Sequence, residues 1–213
     1  MKSSVSWSVK PALHQSPWPA TLTGMSASPH GEPAPVAVEV ELLDAGAAAD
    51  RALVERLTDL VNRVYAASEV GLWREGATRT TTAEMAGLVA AEEIAVATVD
   101  GALTGSIHVH TVSGSAGEFG LLAADPDRRG IGVGRALVAF AEVRIRDRGL
   151  RAIRLELLVP RTWRHPSKVF LDGWYGRMGY RVIHTAEVAD AYPELAPMLA
   201  TACEFRIYEK PLD

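Results

Sequence analysis

Between residues 36 and 43 apolar side chains at Val36, Val38, Val40 and Leu42 alternate with Ala37, Glu39 and Glu41. That period of two predicts a strand with one buried face. Leu53, Leu57, Leu60, Val61 and Val64 then fall on one face of a helix, with Asp50 as its cap. Residues 67–80 read as a connection, and Thr81 with Glu84 forms a capping box ahead of a short helix carrying Met85, Leu88 and Val89. Apolar runs at 94–99 and 103–112 flank Asp100-Gly101, the strongest short signal for a hairpin. A Ser/Gly-rich turn over 113–117 leads into an apolar strand ending at Ala124. The chain turns at Asp125-Pro126-Asp127 and enters a helix that buries Val133, Leu137, Phe140 and Ala141, with Arg135, Glu142 and Arg146 opposite, up to Gly149. A strand over 152–159 stopped by Pro160, a helix over 169–178, a turn into another strand over 179–183 and a closing strand over 204–208 follow. The insert at 185–201 carries a short helical run over 195–199.

Composition narrows the classes. Residues 1–35 hold Pro11, Pro17, Pro19, Pro29, Pro33 and Pro35 among Ser, Ala and Gly without apolar periodicity. This reads as a disordered N-terminal extension to a single domain over 36–213. Trp7 and Trp18 are its only features that could dock, and Met25 is a candidate alternative start. A net charge of −4 gives no basic field for nucleic acid or membrane. The single cysteine, Cys203, excludes an intramolecular disulfide and a Cys-rich metal site, and it reads as a small buried hydrophobe. No apolar run is long enough to span a bilayer and the N-terminus has no secretory core, so the expected location is cytoplasmic.

Gly130, Gly132 and Gly134 stand where the strand ending at Ala124 passes into a helix. Glycines there let backbone approach a ligand closely, and the helix offers unpaired N–H groups and the positive end of its dipole. The pair is an anion cradle suited to a pyrophosphate. A dinucleotide fingerprint requires glycine where Arg135 or Leu137 stands, and a P-loop requires Gly-Lys-Ser/Thr, which is absent. The spacing that fits is Arg-x-x-Gly-x-Gly, here Arg129-Gly130-Ile131-Gly132-Val133-Gly134, which resembles the coenzyme A motif of the GNAT N-acetyltransferase superfamily. Two further features carry the resemblance: Glu118, an acidic residue on the preceding strand, and Tyr175-Gly176-Arg177-Met178-Gly179-Tyr180, which is similar to the Tyr-x-x-x-Gly-Phe/Tyr signature closing the last helix. With the order of elements, the resemblance covers residues 37–212.

The resemblance implies an α/β (α+β) GNAT fold, a mixed, mostly antiparallel central sheet of about seven strands flanked by helices. It implies direct transfer of an acetyl group from acetyl-CoA to the primary amine of a small molecule, without a metal, by a monomer or homodimer. Arg129, Gly130, Gly132, Val133, Gly134 and Arg135 are then expected at the pyrophosphate, and backbone N–H groups at Leu122, Ala123 and Ala124 at the thioester carbonyl. An alkylamine with a pKa of about 10.4 arrives protonated. Glu118, through a water, is the candidate base, and Tyr175 the candidate acid for the departing thiolate. Lys168 stands where many relatives have an asparagine that holds the cofactor, and its ammonium is expected at a cofactor phosphate. Glu69, Trp73 and Arg79 lie in the connection that shapes the acceptor pocket in this fold. The bland readings are a strand carboxylate paired with an arginine for Glu118 and a packing ring for Tyr175. His108 and His110, two apart on one strand face, have a metal-capable spacing but no third ligand nearby, and a surface or core pair is the simpler reading. Two other functions fit the same motifs: an acyl-CoA sensor without turnover, and an acetyltransferase acting on protein lysines or N-termini.

Overall fold

The computed structural model describes residues 5–7, 37–112 and 116–212. Among these residues eight strands form one sheet: β1 Val5–Trp7, β2 Val38–Leu42, β3 Ile94–Val99, β4 Ala102–Thr111, β5 Ala116–Ala124, β6 Ala152–Pro160, β7 Arg181–Glu187 and β8 Cys203–Pro211. Their spatial order is β1-β2-β3-β4-β5-β6-β8-β7. Every neighbouring pair is antiparallel except β5 with β6. The sheet is thus the mixed, mostly antiparallel one expected, with β1 as an eighth strand. Residues 5–7 fall in the stretch read as an extension, and they pair with Val38–Val40. The remainder of residues 1–35, with Trp18 and Met25, lies outside the described residues.

Two helices cover one face. Helix α1, Arg51–Ser68, is capped by the Asp50 side chain on the Leu53 N–H, and α2, Thr82–Ala90, opens with the capping box of Thr81 and Glu84. Of the stripes read from the sequence, Leu57, Leu60 and Val61 of α1 and Met85 and Val89 of α2 are buried, joined by Val54, and close over Ile94, Val96 and Ala123, while Leu53, Val64 and Leu88 are partly buried at the edge. The opposite face is covered by α3, Val133–Asp147, and α4, Pro166–Arg177. There Ala136, Leu137, Val138, Ala141 and Ile145 pack on Ile107, Val109, Phe119, Ile153 and Leu155. Glu142 does not stay on the solvent side of α3; it accepts hydrogen bonds from the Tyr180 hydroxyl at 2.9 Å and the Lys210 ammonium at 2.7 Å, which ties α3 to the far end of the sheet.

The hairpin turn between β3 and β4 has Asp100 at φ 51° and Gly101 at φ 74°, the pair of positive values that matches strand twist. Strand β7 runs four residues beyond the predicted end at Ile183, because residues 184–187 continue to pair with β8. The insert therefore begins at helix α5, Val188–Ala191, and ends in a 3-10 turn, Ala196–Met198. It folds back on the connection after α1: Trp73 bridges to Leu199, the Arg74 N–H donates to the Met198 carbonyl, and Leu72, Val188, Cys203 and Phe205 form a third small core. Cys203 is buried there, as its isolation suggests, and burial pushes its thiol up to about 11. Among the described residues no helix is long and apolar enough to cross a membrane.

Candidate active site

The sheet is open at its centre. Strands β5 and β6 pair only over Ala116–Glu118 and Ala152–Arg154, and beyond that rung they part. The cause lies on the other side of β5, where the register against β4 slips between Ser106 and His108 so that Leu121 and Leu122 together face Ile107. This is a bulge, and it bends the strand that carries it. Leu121 at its centre has φ 46°, a left-handed conformation that costs a leucine on the order of 1 kcal/mol. Residues 120–124 are left without a strand partner on the β6 side. Leu122 lines the resulting cleft, Ala123 is buried against α1 and α2, and Ala124 is half-buried.

At the far end of β5, the segment 126–132 turns the chain into α3. Gly130 and Gly132 have φ 87° and 90°, and Gly132 caps the helix without any side-chain hydrogen bond. The first N–H groups of α3 therefore face outward unfilled. A Cβ on Gly130 would meet nothing within 4 Å, and one on Gly134 would come no closer than 3.6 Å to Trp174. At Gly130 the positive φ itself favours glycine, but at Gly134 neither the backbone nor the protein's own packing demands one. An anion lying against the backbone would. Arg129 and Arg135 are exposed beside this cradle, whereas the Val133 side chain is buried in the core and can offer only its backbone.

Glu118 stands at the last paired rung, opposite Arg154, where the two strands separate. Burial, then the nearby charge of Glu156, raises its carboxyl to about 7, with Arg154 opposing. Arg154 is itself engaged by Glu209 at 2.8 Å, so the simple strand ion pair does not form. Behind Glu118 on β4, His110 lies 4.0 Å away and stacks on His108 with ring centroids 4.5 Å apart, and His108 reaches Glu93 at 2.9 Å. Burial and His108 hold His110 below the usual histidine range. Neither histidine belongs to a group of three potential metal ligands among the described residues.

Tyr175 lines the cleft from α4, 5% exposed, in an aromatic cluster with Phe119, Trp174, Tyr180 and Tyr208. Burial pushes its phenol well above the ordinary value, so it carries its proton throughout the neutral range. The other walls of the cleft are Tyr65 and Ser68 at the end of α1, Arg79, and Glu156 of β6. The Tyr192 hydroxyl, brought over by the insert, donates to Glu156 at 2.7 Å. Lys168 differs from its expected role at a phosphate. It is 5% exposed in the cleft, with its ammonium on Glu69 at 2.5 Å, and Glu69 also accepts from the Trp73 indole. A buried ammonium held this way is not free for a second anion. Trp73 and Glu69 thus meet through that pair.

Tyr65, Ser68, Glu156 and Tyr192 were not singled out by sequence. Glu156 alone had a visible signal, a carboxylate alternating with Leu155 and Leu157 on a strand with both faces covered.

A mostly antiparallel sheet that splits between one parallel pair of central strands, beside a glycine cradle at a helix N-terminus, defines the GNAT fold. Residues 90–182 match the family profile described as "Acetyltransferase (GNAT) domain". Over 66 residues the chain is 39% identical to the mycothiol acetyltransferase of Cellulomonas flavigena, a match covering 26% of this chain and 19% of that protein, so the chain spans about a fifth of that relative. An aminoglycoside 6'-N-acetyltransferase complexed with coenzyme A superposes with a TM-score of 0.61 at 15% identity, covering 82% of this chain and 97% of the other. The PaiA N-acetyltransferase of Thermoplasma acidophilum, in complex with coenzyme A, gives 0.58 at 17% identity over 82% and 98%. The chain has the GNAT fold, and its residues 90–182 carry the match to the acetyltransferase domain of that family.

Proposed function

We propose that the protein is an acyl-CoA-dependent N-acyltransferase that moves an acetyl group from acetyl-CoA to a primary amine of a small molecule by direct transfer. The observation that carries this reading is the parting of β5 and β6 at Glu118, which opens a cleft with a near-neutral carboxyl at its apex and a protonated phenol, Tyr175, on its wall. Acetyl-CoA supplies the activated acyl group as a thioester. Its pyrophosphate suits the N–H groups of residues 130–135 and the charges of Arg129 and Arg135, and its acyl end suits the unpartnered backbone of residues 122–124. Lys168 serves in this reading as a strut in the cleft floor.

The carboxylate of Glu118 takes a proton from the acceptor ammonium through a water, which leaves the nitrogen lone pair free. As that nitrogen forms a bond to the carbonyl carbon, the carbon–sulfur bond breaks and Tyr175 donates its proton to the sulfur, while the acylated nitrogen gives up its remaining extra proton to water and Tyr175 regains one from water. Backbone N–H groups along the bulged strand balance the charge that develops on the carbonyl oxygen. A small acceptor is favoured over a peptide by the insert, which seats Tyr192 over the cleft and packs against the connection at 72–74.

Thiol release from acetyl-CoA in the presence of amines, amino acids and peptides tests the reading. Turnover with small amines is expected. Turnover only with peptides points to a protein acetyltransferase, and tight acetyl-CoA binding with no turnover on any acceptor points to a sensor.

A further inference from the structure

Most charges lining the cleft are partnered. Glu69 takes Lys168 and Trp73, and Glu156 takes the Tyr192 hydroxyl. Arg79 is different. Among the described residues it forms no salt bridge, and its Nε is buried without a hydrogen-bond partner. Its guanidinium carbon lies 4.8 Å over the ring of Tyr65, which fixes its plane. The base of the side chain is fixed too. The N–H groups of Arg79 and Thr80 both donate to Asn62 Oδ1, at 2.8 and 3.0 Å, and Asn62 Nδ2 donates back to the Thr80 carbonyl at 2.9 Å.

A guanidinium cannot lose its proton to escape burial, so Arg79, held in place on the cleft wall without an ion-pair partner, is a site for an anion of planar, forked shape. The opposite side of the same space is acidic. Glu156 lines the cleft, Glu118 stands at its apex, and the charges of both, together with that of Arg79, act on the Tyr192 hydroxyl. One cation facing two carboxylates across a small cleft complements a molecule with an ammonium at one end and a carboxylate at the other.

We propose that the acceptor is an amine that also bears a carboxylate, an amino acid or a molecule with an amino-acid-like end, whose carboxylate sits on Arg79 while its amine points to Glu118. The proposal rests on acyl transfer at this cleft and deepens it. Arg79 is then a specificity-determining residue, and the Tyr65 ring beneath its guanidinium keeps that fork in place.

Matched pairs of acceptors test it: L-phenylalanine with phenethylamine, L-tryptophan with tryptamine, L-leucine with isoamylamine and L-lysine with cadaverine. In the wild-type protein the carboxylated member of a pair should have a kcat/KM about ten-fold or more above its decarboxylated partner, since a site built around a charged group rejects the analogue lacking it. Arg79→Gln should collapse that ratio towards one, through KM, and Arg79→Lys should restore only part of it because a lysine has no fork. Equal or reversed preference in the wild type, or a ratio untouched by Arg79→Gln, overturns the proposal. Calorimetric titration of the coenzyme A-loaded protein with the same pairs separates the two readings. Carboxylate-dependent binding that Arg79→Gln abolishes, with no thiol release, sinks the transferase and keeps the carboxylate site. No binding of any carboxylated member in either assay overturns the carboxylate site.

Discussion

A carboxyl raised to about 7 suits the role of base proposed for Glu118 at neutral pH, and it makes Glu118 a liability to the fold. The unfolded chain ionises this glutamate near its ordinary value, while the folded protein holds the proton until pH approaches 7. Between those values the folded state binds more protons, so its stability falls as pH rises and the deficit is full above about 7. Glu118→Gln removes that deficit. Thermal denaturation should show the variant more stable than wild type by on the order of 2 kcal/mol at about pH 8. The difference should vanish at about pH 3, where both states are protonated. Tyr175→Phe removes only a donor, because the ring keeps its contacts with Phe119, Tyr180 and Tyr208. It should lower kcat for thiol release while the acetyl-CoA dissociation constant stays within a few-fold. Both residues stood out in the sequence because each belongs to a local motif. Lys168 could not be read so: its partner, Glu69, lies 99 residues away, and no periodicity reports such a contact.

Among the elements, the start of α3 separates a packing glycine from a ligand glycine. Gly132 has φ 90°, so any side chain there strains the turn itself, and a loss of binding would be confounded with a damaged loop. Gly134 is free of that problem, since an added Cβ meets only Trp174 at ordinary contact distance. Gly134→Glu should leave the melting temperature of the unliganded protein nearly unchanged and weaken acetyl-CoA binding by about a hundred-fold or more, as a negative charge occupies the anion cradle. Isothermal titration with acetyl-CoA checks this. The Arg-x-x-Gly-x-Gly spacing made the cradle legible. The bulge was not, because Leu121 adopts its positive φ with no glycine, proline or asparagine to mark it. It follows from how β5 meets β4, a long-range constraint. The same holds for the insert, where the local pattern ends β7 at Ile183 but pairing with β8, and not local propensity, carries it to Glu187.

At the scale of the whole molecule, two helical layers close on a sheet that its own bulge forces open, and one buried ion pair holds the opening from below. Glu69, just past α1, and Lys168, on α4, have side chains 3% and 6% exposed, so they join layers on opposite faces of the sheet through the gap. Lys168→Met strands a buried carboxylate and should destabilise the protein by about 3–5 kcal/mol in urea denaturation, whereas replacing both partners by apolar residues should recover most of that. Pairwise patterns predicted the layers, since apolar stripes at 3.6 and 2 residues set which faces pack. The contents of the cleft come from five separate segments and were legible only where a motif marked them. The most direct measurement of the central claim, that the parted strands at Glu118 form an acyl-transfer site, is the pH profile of thiol release from acetyl-CoA by wild type and Glu118→Gln with an amine acceptor. Wild-type kcat/KM should rise with pH through about 7, and the variant should be slower by about two to four orders of magnitude near neutrality, recovering partly at high pH where the amine deprotonates unaided. A variant with the wild-type rate and profile would contradict it.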